Sequence, residues 1–214
     1  MPAIKYKLSD GTPVSGVTTI ISGNIGWNGR VLMYWAWNEG KEGRDYKETS
    51  KAACEAGTIA HAMIESDLKG NLYVLPIGTS QEIIDKAKIA FIAWLAWKKL
   101  VDFTLIASEK SLVSEKLKFG GTIDVAAIKQ STCILDLKTS NATYVEHLVQ
   151  ISAYGQLWNE NNPENPVKAY YLLRLGKEDG SFHYSYWPEL AEAWEAFKHA
   201  LELHNLHKII KKRL

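Results

Sequence analysis

Two apolar segments between residues 120 and 138 constrain the fold of this chain more than any other stretch. Residues 123–128 form a nearly continuous apolar run that only Asp124 interrupts, and residues 134–137 carry a second run. The polar residues 129–132 between them have the length of a turn. This pattern predicts two antiparallel strands joined as a hairpin, around which the remaining elements are organised.

Three charged residues lie within this apolar hairpin. Asp136 and Lys138 are two residues apart on one strand, so their side chains point to the same face, which Asp124 can reach from the preceding strand. Two carboxylates and an ammonium group are costly to desolvate beside an apolar sheet. The cost is understandable if a divalent cation lies between the carboxylates and the lysine faces a reacting anion. An ordinary exposed Asp-x-Lys pair at a sheet edge is the alternative.

Composition limits the class of protein. A length of 214 residues predicts one domain, or one domain with an N-terminal elaboration, and 46% hydrophobic with 23% charged residues is typical of a globular protein. No segment has the pattern of a membrane span or a signal peptide, which predicts a cytoplasmic protein without a membrane partner. Cys54 and Cys133 have no CxxC spacing, which argues against a cysteine-held metal cluster.

The formal net charge of +1 does not by itself indicate a nucleic-acid partner, so any basic surface must be local. The chain has 8 tryptophans and 10 tyrosines. Most of them are expected in the core, but some could stack on nucleic-acid bases.

The order of predicted elements indicates an α/β (α+β) fold, a small mixed sheet flanked by helices. Helices are predicted at 30–38, 47–69, 81–101, 144–159 and from Pro188, and strands at 104–115, 117–129, 132–138, 167–175 and 182–187. Leu32, Trp35 and Ala36 are predicted to face inward, and Gly57 to mark the close approach of another group. The chain is predicted as a single domain, 1–214, with an N-terminal helical elaboration at 1–45, a catalytic core at 46–187 and a C-terminal helix at 188–214.

Polar residues at helical spacing add further candidates. His61 and Glu65 are four residues apart and share a helix face, although a polar stripe or a locally bonded core histidine would look the same. Gln150 and Tyr154 share a helix face in the same way, and core packing is an equally good account of Tyr154. Glu109 is an acidic residue inside a predicted strand.

Together these segments resemble the PD-(D/E)xK nuclease superfamily, in its RecB-type exonuclease branch. The resemblance covers roughly residues 15–175 and lies in these segments: 57–61 with 64–65, Glu109, 121–124, 136–139, and Gln150 with Tyr154. Residues 15–20, with Trp35 and Ala36, resemble the opening of phage-encoded and mitochondrial-maintenance exonucleases. Asp136 replaces the commoner glutamate, and Ile123 stands where the superfamily name has proline.

The resemblance implies a restriction-endonuclease-like αβββαβ core and a set of functional residues. Asp124, Asp136 and Lys138 are the implied catalytic residues. The implied ligands of Mg²⁺ or Mn²⁺ are His61, Asp124, Asp136 and the backbone carbonyl of Leu137. Glu65 and Glu109 would orient these ligands or bind a second ion, and Gln150, Tyr154 and Thr139 would hold DNA or brace the lysine. The cluster-binding cysteines of some relatives are absent, so no iron–sulfur cluster is expected.

The implied function is a metal-dependent DNA exonuclease in phage or bacterial recombination, replication or repair. Its partners would be DNA and a recombination or single-strand-binding protein, in the cytoplasm of a bacterial host if the protein is phage-encoded. A structure-specific or CRISPR-adaptation-type endonuclease and a non-cleaving nucleic-acid-binding module are the alternatives. Strand polarity, strand preference, the number of metal ions and the oligomeric state stay open.

Overall fold

A computed structural model describes residues 6–214; residues 1–5 of the predicted N-terminal elaboration lie outside it. The described part contains six helices and seven strands, in a mixed α/β arrangement. The helices are α1 (Val17–Asn24), α2 (Gly29–Lys41), α3 (Tyr46–Leu68), α4 (Gln81–Lys98), α5 (Val145–Asn161) and α6 (Ala191–Lys211). The strands are β1 (Tyr6–Lys7), β2 (Pro13–Gly16), β3 (Thr104–Ser114), β4 (Phe119–Ile128), β5 (Thr132–Lys138), β6 (Ala169–Leu175) and β7 (Phe182–Trp187).

All seven strands belong to one mixed sheet with β4 near its middle. The hairpin predicted around residues 120–138 is confirmed, since β4 and β5 pair antiparallel. One edge of β4 pairs antiparallel with β3 along its whole length. β5 pairs parallel with β6, and β6 antiparallel with β7 at the end of the sheet. The predicted mixed sheet and the αβββαβ order, from α3 and α4 through β6, are confirmed.

The strands β4 and β5 separate at one end of their ladder, and the candidate site lies at this fork. Their ladder runs from Ile128, opposite Thr132, to Val125, opposite Leu135, and then ends. On the same edge of β4, the parallel partner β2 reaches only to Gly120. The middle of β4 therefore has no neighbouring strand on this edge, and Asp124 lies where β5 separates from it.

Helices cover both faces of the sheet, as predicted. One face packs against α1, α5 and α6 around the buried side chains of Ile123, Ile134, Leu157 and Phe197. The other face packs against α3 and α4, whose buried side chains include Ile64 and Trp94. Among residues 6–214 we find no helix with the length and apolarity needed to cross a bilayer.

Side-chain caps set the starts of the two long helices on that second face. Asp45 accepts a hydrogen bond from the Lys47 N–H (2.8 Å) at the start of α3. Ser80 accepts one from the Ile83 N–H (3.4 Å) at the start of α4. These caps satisfy backbone donors that a helix leaves unpaired in its first turn. The observed bounds of α3 lie within one residue of the prediction, and α4 ends three residues early.

The inward orientation predicted for Leu32 is wrong. Leu32 is 58% exposed, whereas Trp35 and Ala36 are half-buried. The helix α2 is held at its ends rather than along a face. At its start Asn28 donates to Glu146 (2.5 Å), and at its end the buried Glu39 accepts from Arg44. An apolar periodicity therefore did not mark a buried face here.

The last helix begins at Ala191, so the prediction that Pro188 starts it is wrong. β7 continues to Trp187, and the chain needs the next three residues to turn from the strand into the helix. Leu190 occupies the N-cap position with a φ of −140° and a ψ of 50°, outside the helical region. Proline fits the first turn of a helix, but it fits a turn after a strand equally well.

Candidate active site

Three side chains from three different elements converge beside the fork. His61 comes from α3, Glu109 from β3 and Asp124 from β4. His61 Nδ1 lies 3.8 Å from Glu109 Oε1 and 3.7 Å from Asp124 Oδ1. One ligand atom of each residue lies within 4.8 Å of the other two. These atoms are too far apart for hydrogen bonds to one another but close enough to share a metal ion.

The backbone of β3 is distorted where it supplies Glu109. This residue has a φ of +48°, in the left-handed region that a side chain with a Cβ rarely adopts. The ladder with β4 continues on both sides of it, at Ser108 with Val125 and at Lys110 with Ile123. A left-handed non-glycine residue costs of order 1–3 kcal/mol. The carboxylate that lies beside His61 thus belongs to a residue in an unfavourable backbone conformation.

Asp136 and Lys138 form a second group on β5, joined to the first by the backbone. Asp136 is only 1% exposed, and Lys138 Nζ lies 2.8 Å from its Oδ2. This contact is an ion pair without hydrogen-bond alignment, so neither carboxylate oxygen of Asp136 has a hydrogen-bond partner. The Leu137 N–H between them donates to Asp124 Oδ2 (2.8 Å), which fixes the Asp124 carboxylate at the fork.

Helix α5 holds the lysine. Lys138 Nζ donates to Gln150 Oε1 (3.0 Å), and Gln150 Nε2 donates to the Tyr154 hydroxyl (2.8 Å). A Cβ at Gly121 on β4 would lie 2.8 Å from the Tyr154 ring, so this glycine lets the ring pack directly on the strand. Of the two roles predicted for Gln150 and Tyr154, these contacts favour bracing the lysine.

The charged groups of the site are buried or half-buried, and this burial shifts their pKa values. Burial raises the pKa of both Asp124 and Asp136, and the nearby cations His61 and Lys138 offset only part of this. Burial alone would lower the pKa of His61, but the Asp124 and Glu109 carboxylates outweigh it, so the His61 pKa is raised. All three groups therefore hold protons more tightly than they would in water, and a bound cation would release those protons.

One residue beside the site was not among the sequence candidates. His147, in the first turn of α5, accepts a hydrogen bond at Nδ1 from the Tyr144 N–H (3.2 Å). Burial, followed by the charge of Lys138, lowers the His147 pKa to about 4, so the ring is neutral at pH 7. Its position three residues after Tyr144, at the start of a helix, was the available sequence signal, because such positions cap helix starts.

The other predicted site residues have these positions. Glu65 forms an ion pair with Lys69. The acidic residue that lies beside His61 is Glu109. Asp136 lies outside the group of three converging ligand atoms. The predicted close approach at Gly57 is confirmed, because a Cβ there would lie 2.8 Å from Thr139 Oγ1. Thr139 thus packs between α3 and the end of β5.

The donor set fits a hard or borderline divalent cation. Two carboxylates and an imidazole are ligands that divalent cations accept in proteins. The buried Asp136 carboxylate is a second sign, because it faces the Lys138 ammonium group but neither of its oxygens accepts a hydrogen bond, which is uncommon for a buried polar group. The structure therefore contains a group that could hold a metal ion, with His61, Glu109 and Asp124 at its centre.

The sequence matches no protein-family profile and no curated protein. Among solved structures, the chain is similar to a protein from Eubacterium rectale assigned as an exonuclease. The TM-score is 0.48 at 12% identity, over 73% of this chain and 66% of that one, just under two thirds of its length. It is also similar to an alkaline exonuclease from Laribacter hongkongensis, with a TM-score of 0.37 at 10% identity over 74% and 86% of the two chains. A complex of the latter with dAMP matches with a TM-score of 0.37 at 10% identity, over 76% and 92%.

Proposed function

We propose that this protein is a metal-dependent nuclease that hydrolyses phosphodiester bonds in DNA, acting as an exonuclease. The observation that carries the proposal is the fork between β4 and β5. There, His61, Glu109 and Asp124 converge beside the buried ion pair of Asp136 with Lys138, and Gln150 braces the lysine. Buried charges of both signs at fixed positions suit the transfer of an anionic group.

In this proposal His61, Glu109 and Asp124 hold a Mg²⁺ or Mn²⁺ ion, with Asp136 as a further carboxylate beside it. The ion would act as a Lewis acid and lower the pKa of a bound water. Lys138 would offset the negative charge that develops on the phosphate, and Gln150 would keep the ammonium group in position. His147 is neutral, so it would add no positive charge to compete with Lys138.

DNA as the substrate and attack from an end are supported by the resemblance of the five motifs to the RecB-type exonuclease branch. A role in recombination, replication or repair, a single-strand-binding or recombination partner, and a cytoplasmic location follow from the same resemblance. They form part of the proposal, together with a single nuclease domain over residues 1–214 and the absence of an iron–sulfur cluster.

A cleavage assay tests the proposal. End-labelled linear DNA and covalently closed circular DNA, each single- and double-stranded, are incubated with Mg²⁺, Mn²⁺ or EDTA. We expect metal-dependent loss of linear DNA only, and a loss of rate of about 10²-fold or more in Asp136→Asn and Lys138→Ala. The chain offers a matched control pair, because Lys98 Nζ lies 2.8 Å from Asp67 Oδ2 on α4 and α3, outside the site.

The variants Asp67→Asn and Lys98→Ala should cleave at the wild-type rate, which separates loss of the site from loss of a salt bridge. Cutting of circular DNA would show that the protein is an endonuclease rather than an exonuclease. Undiminished cleavage by purified Lys138→Ala protein would exclude the proposed role of the lysine. Absence of cleavage by the wild type with every metal would contradict the nuclease proposal as a whole.

A further inference from the structure

A pocket lies at the opposite end of β5 from Lys138. It has a volume of about 440 Å³ and lies between the β4–β5 turn and the edge strand β7. Lys138 is at the end of β5 and the pocket at its start, a separation of roughly 20 Å along the strand. The pocket is therefore separate from the metal-binding group, and its volume falls in the range of small-molecule sites.

Three tyrosines from β6 and β7 form one aromatic wall of this pocket. The rings of Tyr171 and Tyr184 are stacked, with centroids 5.3 Å apart and planes 5° apart. Tyr186 packs against Tyr171 at 5.1 Å and is itself 53% exposed. Burial raises the pKa of Tyr171 to about 12, so its hydroxyl stays protonated at pH 7. Tyr186 is thus the exposed ring of the wall, and Tyr171 and Tyr184 are half-buried beside it.

Two lysines supply the charge of the pocket. Lys129 Nζ donates to the Tyr184 hydroxyl (3.0 Å) and lies 5.4 Å from the ring centroids of both Tyr171 and Tyr184. The ammonium group is therefore held in place while two of its three N–H donors remain available. Lys168, just before β6, is the second lysine. Within residues 6–214, the lining contains no acidic side chain and neither lysine forms an ion pair.

We propose that this pocket binds a nucleotide, with its base stacked on the exposed ring of Tyr186 and its phosphate between Lys129 and Lys168. Flat aromatic surfaces beside cations bind bases of any sequence, because every base has a π-face. Two lysines without ion-pair partners favour an anionic ligand. The aromatic wall favours a ligand that also carries a flat ring. The nucleotide is either free or part of a single strand. The proposal does not depend on nuclease activity.

Binding to the full chain in EDTA tests this inference without cleavage. The probes are deoxyadenosine monophosphate, followed by calorimetry, and a fluorescein-labelled single-stranded dA oligonucleotide, followed by anisotropy. The pocket variants are Lys129→Gln/Lys168→Gln, which removes both charges, and Tyr186→Leu, which keeps an apolar side chain but removes the ring. The matched control is Lys116→Gln/Lys118→Gln, which removes two exposed charges from the β3–β4 turn. All variants change exposed residues, and thermal melting verifies that each one folds.

We expect the double pocket variant to weaken binding of at least one probe by about tenfold, because charge-assisted contacts to phosphate are lost. Tyr186→Leu should weaken the same probe by about fivefold or more through lost stacking. The control should bind within about twofold of wild type. Loss of affinity for the monophosphate would identify a free nucleotide as the ligand. Loss of affinity for the oligonucleotide alone would identify a segment of a single strand.

Two results would overturn the inference. In the first, both pocket variants bind both probes as tightly as wild type does. In the second, the turn control loses as much affinity as the pocket variants, which would mean that total charge rather than this pocket governs binding.

Discussion

Asp136 is the residue whose environment is least favourable for folding and most favourable for binding a cation. It is 1% exposed, neither of its oxygens has a hydrogen-bond partner, and burial raises its pKa. An ionised carboxylate in such a place destabilises the metal-free protein, because the desolvation of the charge is only partly offset by Lys138. The same residue is therefore expected to lower stability and to support activity.

The variant Asp136→Asn should raise the thermal stability of the metal-free protein at pH 8. A carboxyl group with a raised pKa in the folded state contributes its stability at low pH and loses it as the pH rises through that pKa. Asparagine stays neutral and avoids the loss. We expect a rise in Tm of a few degrees, since about 1 kcal/mol shifts Tm by roughly 2–4 °C in a chain of this size. Calorimetry in EDTA at pH 8 measures it.

The gain should shrink as the pH falls toward 4, because the raised pKa of the wild-type carboxyl makes it more and more protonated there. Asp67→Asn is the matched control with the opposite sign, because the Asp67 carboxylate accepts hydrogen bonds from both Trp94 Nε1 and Lys98 Nζ at 2.8 Å. That variant should melt at a lower temperature. A lower Tm for Asp136→Asn at pH 8 would show that the buried carboxylate stabilises the fold.

Sequence patterns indicated the residues on the hairpin better than the residues that meet them. Asp124, Asp136 and Lys138 could be inferred as neighbours because strand alternation and a short turn determine their spacing. His61 and Glu109 stood out only as a polar residue on a helix face and an acidic residue in a strand, and only the resemblance to a nuclease family gave them a role at the site. No local rule places Glu109 beside His61, since that contact depends on a left-handed residue in β3 and on how α3 packs.

Helix α5 approaches the sheet so closely that glycines are required at the contact. A Cβ at Gly155 would lie 2.5 Å from the Tyr170 ring on β6, and a Cβ at Gly121 would lie 2.8 Å from the Tyr154 ring. Aromatic rings in a packed core move little, so these contacts set the distance between α5 and the sheet. That distance places Gln150 within reach of Lys138.

The variant Gly155→Ala should therefore destabilise the protein, although the same change usually stabilises a helix by about 1 kcal/mol. The new methyl group would overlap the Tyr170 ring, and overpacking of this kind costs about 1–3 kcal/mol. Displacement of α5 should also weaken the contact between Gln150 and Lys138 and slow cleavage. Urea unfolding measures the first effect and the DNA assay the second.

Gly40→Ala is the matched control, because Gly40 lies in α2 at a position where an added Cβ would meet open space. We expect unchanged or increased stability there. Equal effects of the two substitutions would show that helix propensity, rather than the contact with Tyr170, governs the response at Gly155.

Element ends were predictable where a turn signal and a burial change coincide. The observed bounds of β5 and β7 are those predicted, because the apolar run of β5 and the alternation of β7 each stop at a turn signal on both sides. The orientation of α2 and the start of α6 were not predictable in this way. α2 carries apolar side chains around its circumference and is held by Glu146 and Arg44, which are distant in sequence or lie outside the helix.

Across the whole molecule, the site joins elements that are far apart in the chain. α3, β3, β4, β5 and α5 each contribute a side chain, so the site exists only when the helices have packed on both faces of the sheet. Charges of like sign are brought together in the process, and folding of the metal-free chain has to overcome their repulsion. A bound cation would reverse the sign of that contribution, which links metal binding to global stability.

Addition of Mn²⁺ should raise the Tm of the wild-type protein, and more at pH 8 than at pH 5.5. A ligand present at 100 times its Kd stabilises the folded state by about 2.7 kcal/mol, which is roughly 5–10 °C for a chain of this length. The pKa values of His61, Asp124 and Asp136 are all raised, so protons compete with the metal at acid pH. Calorimetric melts at both pH values, with Mn²⁺ or with EDTA, measure the difference.

The variants His61→Ala and Asp124→Asn should lose most of this metal-dependent rise, because each removes one of the converging ligand atoms. His207→Ala, an exposed change on α6, should keep it and controls for nonspecific binding of Mn²⁺ to histidine. A rise of equal size in all the variants would place the metal elsewhere on the protein. A larger rise at pH 5.5 than at pH 8 would contradict the argument from the raised pKa values, because ligands that must lose protons bind a cation more tightly as the pH increases.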